Sequence, residues 1–250
     1  LRVLAEEEGD RIRADEDELL DEIARAIEAG MVVGHFHGPM EFGPRAMGNR
    51  SILADARNPK MQSLLNRKIK FRESFRPFAP SVLADEARRW FDLPEGVESP
   101  YMLLTAPVLG AKVPAGDKRD DSHAARGGSL GDDDVIARLL SAAAAAGSAI
   151  PAVTHVDGSA RVQTVDAQRH GRFHRLLQRF RDRTGCGLVI NTSFNVRGEP
   201  IVCSPADAWR CFLATNMDVL VLEDCIAYKA DQPAAETFDV NEHLARFAPD

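Results

Sequence analysis

Aromatic residues make up only 6% of the 250-residue chain, too few to furnish the row of stacking platforms that an open single-strand nucleic-acid surface needs. A formal charge of −7 argues the same way, because the chain has no global attraction for a polyanion and any anion site has to be local. The four cysteines, Cys186, Cys203, Cys211 and Cys225, form no CxxC pair. Most sit in or beside apolar runs and read as reduced, structural thiols. No run approaches the ~20 apolar residues of a membrane helix, and the start lacks the basic-then-apolar form of a signal peptide. The expectation is a cytoplasmic protein with no membrane contact. The chain opens on Leu1, which suggests a fragment of something longer. Also missing are a GxxxxGK[ST] loop, a GxGxxG turn, a GxSxG elbow and an HExxH helix. Phosphate binding, where it occurs, must then rest on side chains rather than on a glycine cradle.

What is present is the composition of a folded chain, 44% hydrophobic and 28% charged, enough to bury a core. Residues 1–14 read as a linker or surface segment. Residues 15–30 put Leu19, Leu20, Ile23, Ala24 and Ile27 on one face and stop at Gly30, an amphipathic helix. A strand follows over 31–36, then a Gly/Pro-punctuated loop, a helix over 59–70, an arginine-rich loop leading into a strand, and a helix over 84–91. Residues 110–147 change character, with a charged Gly/Ser-rich stretch and an alanine run, and read as an insertion. Beyond it the pattern predicts paired strands around Asp157-Gly158, a helix over 170–184, a buried strand over 186–194, a helix capped by Ser204 with Pro205 at its first position, and one last strand over 217–229. Residues 231–250 read as a tail. Strands alternating with helices around an antiparallel insert predict an α/β fold with a twisted, open, mixed sheet flanked by helices.

Two constellations carry chemistry. Between Glu41 and Ser81 lie nine basic residues against three acidic ones, reversing the sign of the rest of the chain. Arg45 follows Gly-Pro in a constrained loop. Arg72 and Arg76 are interleaved with Phe71, Phe75 and Phe78, so their planar forks should be held by aromatic packing, and Lys70 offers a compact point charge. Arg57 is expected at the surface. Two of these arginines could instead serve as partners for Asp55 or Glu73. The second constellation is Asn191-Thr192-Ser193-Phe194-Asn195 at the carboxyl end of an apolar strand, where open α/β sheets place their ligands. These side chains can donate and accept around a phosphate or an amide, although an Asx or Ser turn would use the same residues. His155 and Arg161 flank the Asp157-Gly158 turn. The pairs His35/His37 and His170/His174 each lack a third ligand, so no metal site is expected.

Four runs, GHFHGPMEFGPRAMGNRSILADAR, LNRKIKFRESFRPFAPSVL, PAVTHVDGSARVQTV and GLVINTSFNVRGEPIV, resemble the C-terminal domain of the O-carbamoyltransferases of nodulation and antibiotic biosynthesis (the NodU, CmcH and TobZ type). That domain is similar to the YrdC/Sua5 fold, whose Lys-x-Arg and Ser-x-Asn pairs match Lys70-Phe71-Arg72 and Ser193-Phe194-Asn195. The resemblance implies one domain over 15–230 that forms carbamoyl adenylate from carbamoyl phosphate and ATP with Mg²⁺. By the match, Lys70, Arg72, Arg161, Ser193 and Asn195 carry the reaction, while Arg45, Arg50, Arg76, His155 and Asn191 bind substrate. It implies further that transfer to a hydroxyl acceptor belongs to a Kae1-like domain, in cis or as a separate subunit, which alone carries iron. Small departures are Met47 where leucine is common, Ser159 where threonine is common, and the insertion.

Two other functions share parts of this pattern. A threonylcarbamoyl-adenylate synthase has the fold and both pairs but takes bicarbonate and threonine, and the runs GPRAMGNRS and NTSFNVRGEPIV argue against it. A nucleic-acid-binding module of related fold would need its aromatics exposed, whereas the phenylalanines beside the arginines read as buried.

Overall fold

The computed structural model describes residues 11–12, 15–72, 76–111 and 147–247. Almost all of the insertion expected at 110–147 lies outside the described residues, as do Glu73 and Phe75. Nine strands, β1 (Arg11–Ile12), β2 (Val33–Phe36), β3 (Arg50–Ala54), β4 (Ala79–Leu83), β5 (Leu104–Pro107), β6 (Ser159–Val165), β7 (Leu188–Ser193), β8 (Val219–Leu222) and β9 (Cys225–Tyr228), stand in the order β1-β9-β8-β2-β3-β7-β4-β6-β5. The pairs β2/β8 and β4/β6 are parallel and the others antiparallel. This is the mixed α/β sheet that the alternation predicts. Its central strands read as near-continuous apolar text because both faces are covered: every residue of β2, β3 and β4 is buried.

The helices form where the local signals place them. In α1 (Glu16–Glu28) the Asp15 carboxylate accepts from the Asp17 amide at 2.8 Å, three acids occupy the first turn, and the apolar stripe from Leu19 to Ile27 is fully buried. The helix lies along α4 (Ala167–Thr184), and the ion pairs Glu16–Arg175, Asp17–Arg179 and Glu28–Arg183 join the two. Asp166 caps α4, and Gly171 interrupts its backbone at φ 37°, ψ −102°. The remaining helices are α2 (Met61–Lys68), α3 (Ala87–Trp90), α5 (Pro205–Ala214), α6 (Ala234–Thr237) and α7 (Val240–Leu244). Ser204 and Asp207 form a full capping box on α5, with Pro205 in its first turn.

Three expectations need correction. Residues 151–153 form a 3₁₀ turn rather than a strand, because β6 already has β4 on one side and β5 on the other and leaves no edge for a hairpin partner. The single strand expected over 217–229 is a hairpin, β8 and β9, reversed at Glu223 and Asp224, with Glu223 at φ 53°. Arg57 keeps 34% of its side chain exposed, yet it is not a free surface arginine. Its Nε and Nη2 reach both oxygens of the buried Asp55 at 2.7–3.1 Å, and its guanidinium lies 5.3 Å from the Phe180 ring.

Arg57→Ala would leave the Asp55 carboxylate buried beside an empty volume. Chemical denaturation should show a loss of about 1–3 kcal/mol. The double variant with Asp55→Asn should recover part of that loss, since the uncompensated charge goes with it; no recovery would mean that packing on Phe180 carries the effect.

Candidate functional site

The antiparallel and parallel registers put Arg161 and Gln163 of β6, Ser81 of β4, and Asn191 and Ser193 of β7 on one face of the sheet. Above them the loop after β2 brings Arg45, and the turn after α2 brings Arg72. Together they enclose a cavity of about 130 Å³ lined by Arg45, Arg72, Arg161, Asn191, Ser193 and Phe78 among others, with no carboxylate lining it among the described residues. A volume on the order of four waters suits a phosphate-sized group, so a nucleoside would extend beyond it.

The cations of this cavity are held, and they crowd each other. Arg72 Nε donates to Asn66 Oδ1 at 2.7 Å, and its guanidinium lies 5.0 Å from the Phe78 ring. Asn66 is fully buried, and its Nδ2 donates to the Arg76 carbonyl oxygen at 2.8 Å, so one side chain fixes both ends of the arginine loop. Arg161 Nε is buried with no hydrogen-bond partner among the described residues. Burial, then the nearby positive charge of Arg45, pulls the Arg161 pKa below its ordinary value. A buried guanidinium set beside a second positive charge in this way suits an anion.

Lys70 lies behind this wall. Its ammonium is 3% exposed and touches four oxygens: the Ser193 carbonyl at 2.5 Å, Ser193 Oγ at 3.3 Å, the Asn195 carbonyl at 2.9 Å and Asn195 Oδ1 at 2.8 Å. Ser193 Oγ donates in turn to Asn195 Oδ1 at 2.7 Å, and Asn195 Nδ2 donates to the Glu199 carbonyl at 2.6 Å. Phe71, between Lys70 and Arg72, has φ 48°. This left-handed residue accompanies the divergence of its neighbours, Lys70 toward the Ser-x-Asn turn and Arg72 toward the cavity. Phe194, between Ser193 and Asn195, is fully buried, and a methyl on Gly34 would come within 2.7 Å of its ring.

The structure therefore brings together Arg45, Arg72, Arg161, Asn191 and Ser193 at the cavity, with Lys70 and Asn195 supporting Ser193. Three other expected residues sit elsewhere. Arg50 is buried, with its guanidinium 3.4 Å from the Phe36 ring centroid, and donates to the carbonyls of His37 and Asn49. Arg76 is exposed and contributes its backbone carbonyl to Asn66. His155 Nδ1 is 3.1 Å from Ser159 Oγ in the turn before β6. Sequence reasoning missed Asn66, Ser81 and Gln163. The polar Gln163, alternating with Val162 on a strand buried on both faces, was the available signal.

The histidine pairs have other tasks. Burial drives the His35 pKa down to about 3, and its Nδ1 is 2.6 Å from the Gly48 carbonyl. His37 meets Glu223 at 2.8 Å. Among the described residues no group of three or more His, Cys, Asp or Glu side chains could hold a metal ion, and no helix is long and apolar enough to cross a membrane.

Burial lowers the Lys70 pKa from 10.5 to about 7. Between those values the unfolded chain binds more protons than the folded one, so this group makes the fold more stable as pH rises from about 7 towards 10.5. Denaturation of the wild type at pH 7 and pH 9.5 should show that gain, on the order of a few kcal/mol at most. Lys70→Met should show a smaller one; an identical pH dependence in the two proteins would mean that Lys70 keeps its charge throughout.

Residues 24–229 match the family described as Carbamoyltransferase C-terminus. An uncharacterized protein, sll1178, of Synechocystis is 48% identical over 89% of this chain and 34% of its own length. Nodulation protein NolO of Bradyrhizobium diazoefficiens is 37% identical over 92% of this chain and 38% of its own. The 3'-hydroxymethylcephem-O-carbamoyltransferase of Amycolatopsis lactamdurans is 34% identical over 75% and 28%. The solved structure of full-length HypF in its phosphate- and nucleotide-bound form aligns with a TM-score of 0.46 and 16% identity, over 82% of this chain and 25% of HypF. The chain thus spans about a third of the length of the curated relatives it matches. With the matched region running from α1 to the end of β9 and taking in every residue of the cavity, the chain belongs to the carbamoyltransferase C-terminus family.

Proposed function

We propose that this chain is the carbamoyl-activating part of an ATP-dependent O-carbamoyltransferase with a YrdC/Sua5-like fold. Carbamoyl phosphate is cleaved by water to carbamate and inorganic phosphate. A carbamate oxygen then attacks the α-phosphorus of ATP, the bond to the β-phosphate breaks, and carbamoyl adenylate and pyrophosphate result. The observation that carries this reading is the convergence of Arg45, Arg72 and Arg161 on one cavity. Both substrates are polyanions, and bringing them together requires fixed cations that oppose their repulsion and meet the charge developing on the phosphoryl oxygens. The amide and hydroxyl of Asn191 and Ser193 suit the carbamoyl and phosphate groups. Mg²⁺ would arrive bound to the nucleotide phosphates.

No general base is assigned, because carbamate already carries its negative charge, and rate comes from positioning and electrostatics. Lys70 acts through Ser193 and Asn195, which it holds by both backbone and side-chain oxygens. Transfer of the carbamoyl group to a hydroxyl acceptor falls to an iron-bearing, Kae1-like domain outside this chain. The greater length of the relatives and the O-carbamoyltransferase activity for which the Amycolatopsis protein is named support that division.

The test is pyrophosphate release from ATP and Mg²⁺, with and without carbamoyl phosphate, and with bicarbonate plus threonine as the control. Release should depend on carbamoyl phosphate, and Arg161→Ala and Arg72→Ala should each lower it by about 10²–10³-fold. Arg57→Ala, assayed below its unfolding midpoint, should leave it nearly unchanged. Release only with bicarbonate and threonine would move the protein to the threonylcarbamoyl class, and wild-type rates in folded Arg161→Ala would sink the assignment of the cavity.

A further inference from the structure

Beneath the cavity runs a buried polar chain that the proposed reaction does not use. Gln163 is fully buried on β6, and its Nε2 donates to the Met47 carbonyl oxygen at 3.0 Å. A backbone carbonyl can only accept, so turning this amide over would set oxygen against oxygen. Gln163 Oε1 is thereby fixed on the other side, where it accepts from Ser81 Oγ at 2.5 Å and from Asn191 Nδ2 at 3.1 Å. Ser81 gives its one hydrogen to Gln163 and accepts from Asn191 Nδ2 at 3.0 Å. The Asn191 amide nitrogen is therefore turned toward Gln163 and Ser81, whose oxygens lie 2.5 Å apart and share one of its hydrogens. What remains is Asn191 Oδ1, on a residue 1% exposed, with no partner among the described residues.

Asn191 lines the cavity, whereas Ser81 and Gln163, which its nitrogen faces, do not. The end of the amide left for a ligand is its acceptor. The other polar side chains differ in kind: the guanidiniums can only donate, Ser193 Oγ already accepts from Lys70 and donates to Asn195, and Thr192 alternates to the opposite face of β7.

We infer that Gln163, aligned by the Met47 carbonyl, fixes Asn191 as the acceptor for an N–H of the bound acyl group, so that the site selects a carbamoyl donor over an acyl group of the same shape lacking that hydrogen. Asn191 is then a specificity residue, and Gln163 and Ser81 are its positioning residues. The inference rests on the reading of the cavity as a carbamoyl phosphate site. Its physical basis is the cost of an unpaired buried acceptor: a methyl group or a carbonate oxygen placed against Asn191 Oδ1 leaves that buried oxygen unsatisfied, whereas an N–H satisfies it.

Carbamoyl phosphate and acetyl phosphate differ only in NH₂ against CH₃ on the acyl carbon, which makes them the probe pair, with inorganic phosphate as the reference. Calorimetric titration of the wild-type protein should show carbamoyl phosphate binding about tenfold or more tighter than acetyl phosphate. Gln163→Leu should bring that ratio to within about threefold, because Asn191 can then turn over, while affinity for inorganic phosphate changes by less than about twofold. If Gln163→Leu does not fold, Gln163→Met, which also removes the acceptor that orients the Asn191 amide, is read in its place with the same expectation. Equal binding of the two acyl phosphates by the wild type, with inorganic phosphate still bound, would overturn the inference and leave the anion site standing. No binding of any of the three would overturn the carbamoyl phosphate reading and the inference with it. A tenfold preference that survives in the folded variant would remove Gln163 from the argument.

Discussion

A lysine ammonium that leaves water must find oxygens, and in this fold it finds them all in one turn of chain. Lys70 meets the carbonyls and side chains of Ser193 and Asn195, which ties the turn after α2 to the end of β7 across more than a hundred residues of sequence. An unpaired buried charge costs several kcal/mol, so these two segments cannot separate without exposing the lysine. Everything on the working side of the wall is placed relative to that junction: Ser193 on its strand end, Arg72 two residues beyond Lys70, and Asn191 two residues before Ser193 on the same face.

The wall then collects charge of one sign. Arg45 comes from a loop, Arg72 from a turn and Arg161 from a strand, and Arg72 is steadied by the neutral Asn66, in contrast to Arg57, which is neutralised by Asp55. The difference is functional in form. An ion pair completes itself within the protein, while a guanidinium whose nearest charged neighbour is another guanidinium is complete only with a ligand. The sheet supplies the rigidity for this, since β3 and β4 are buried throughout and β7 as far as Asn191, so the face that carries the polar residues has little freedom to spread.

Much of this was legible in the sequence. The caps and apolar stripes of α1 and α5 are local signals, and local physics decides them. The two cavity-forming pieces, Lys70 to Arg72 and Asn191 to Asn195, stood out because basic and amide side chains were packed among phenylalanines or placed at a strand end. What stayed hidden depends on pairing at long range. The second hairpin at the carboxyl end could not be told from one strand, because Glu223 gives no glycine signal although it adopts φ 53°. The strand expected over 150–156 failed because β5, far off in sequence, takes the open side of β6. Gln163 and Asn66 escaped notice for a related reason: a buried amide is meaningful only through its partners, and theirs lie on other elements.

Phe71 shows what such a site concedes. Its backbone sits at φ 48°, where a side chain costs on the order of 1–3 kcal/mol, and its ring packs against the core. Glycine would relieve the first demand and abandon the second; any other large apolar residue would do the reverse. A search for stabilising substitutions that scored backbone comfort alone would choose glycine there, and would slacken the joint between the lysine that anchors the turn and the arginine that faces the cavity. Position 71 is thus one where thermodynamic improvement and preorganisation pull against each other, and where a more stable protein need not be a better-ordered one.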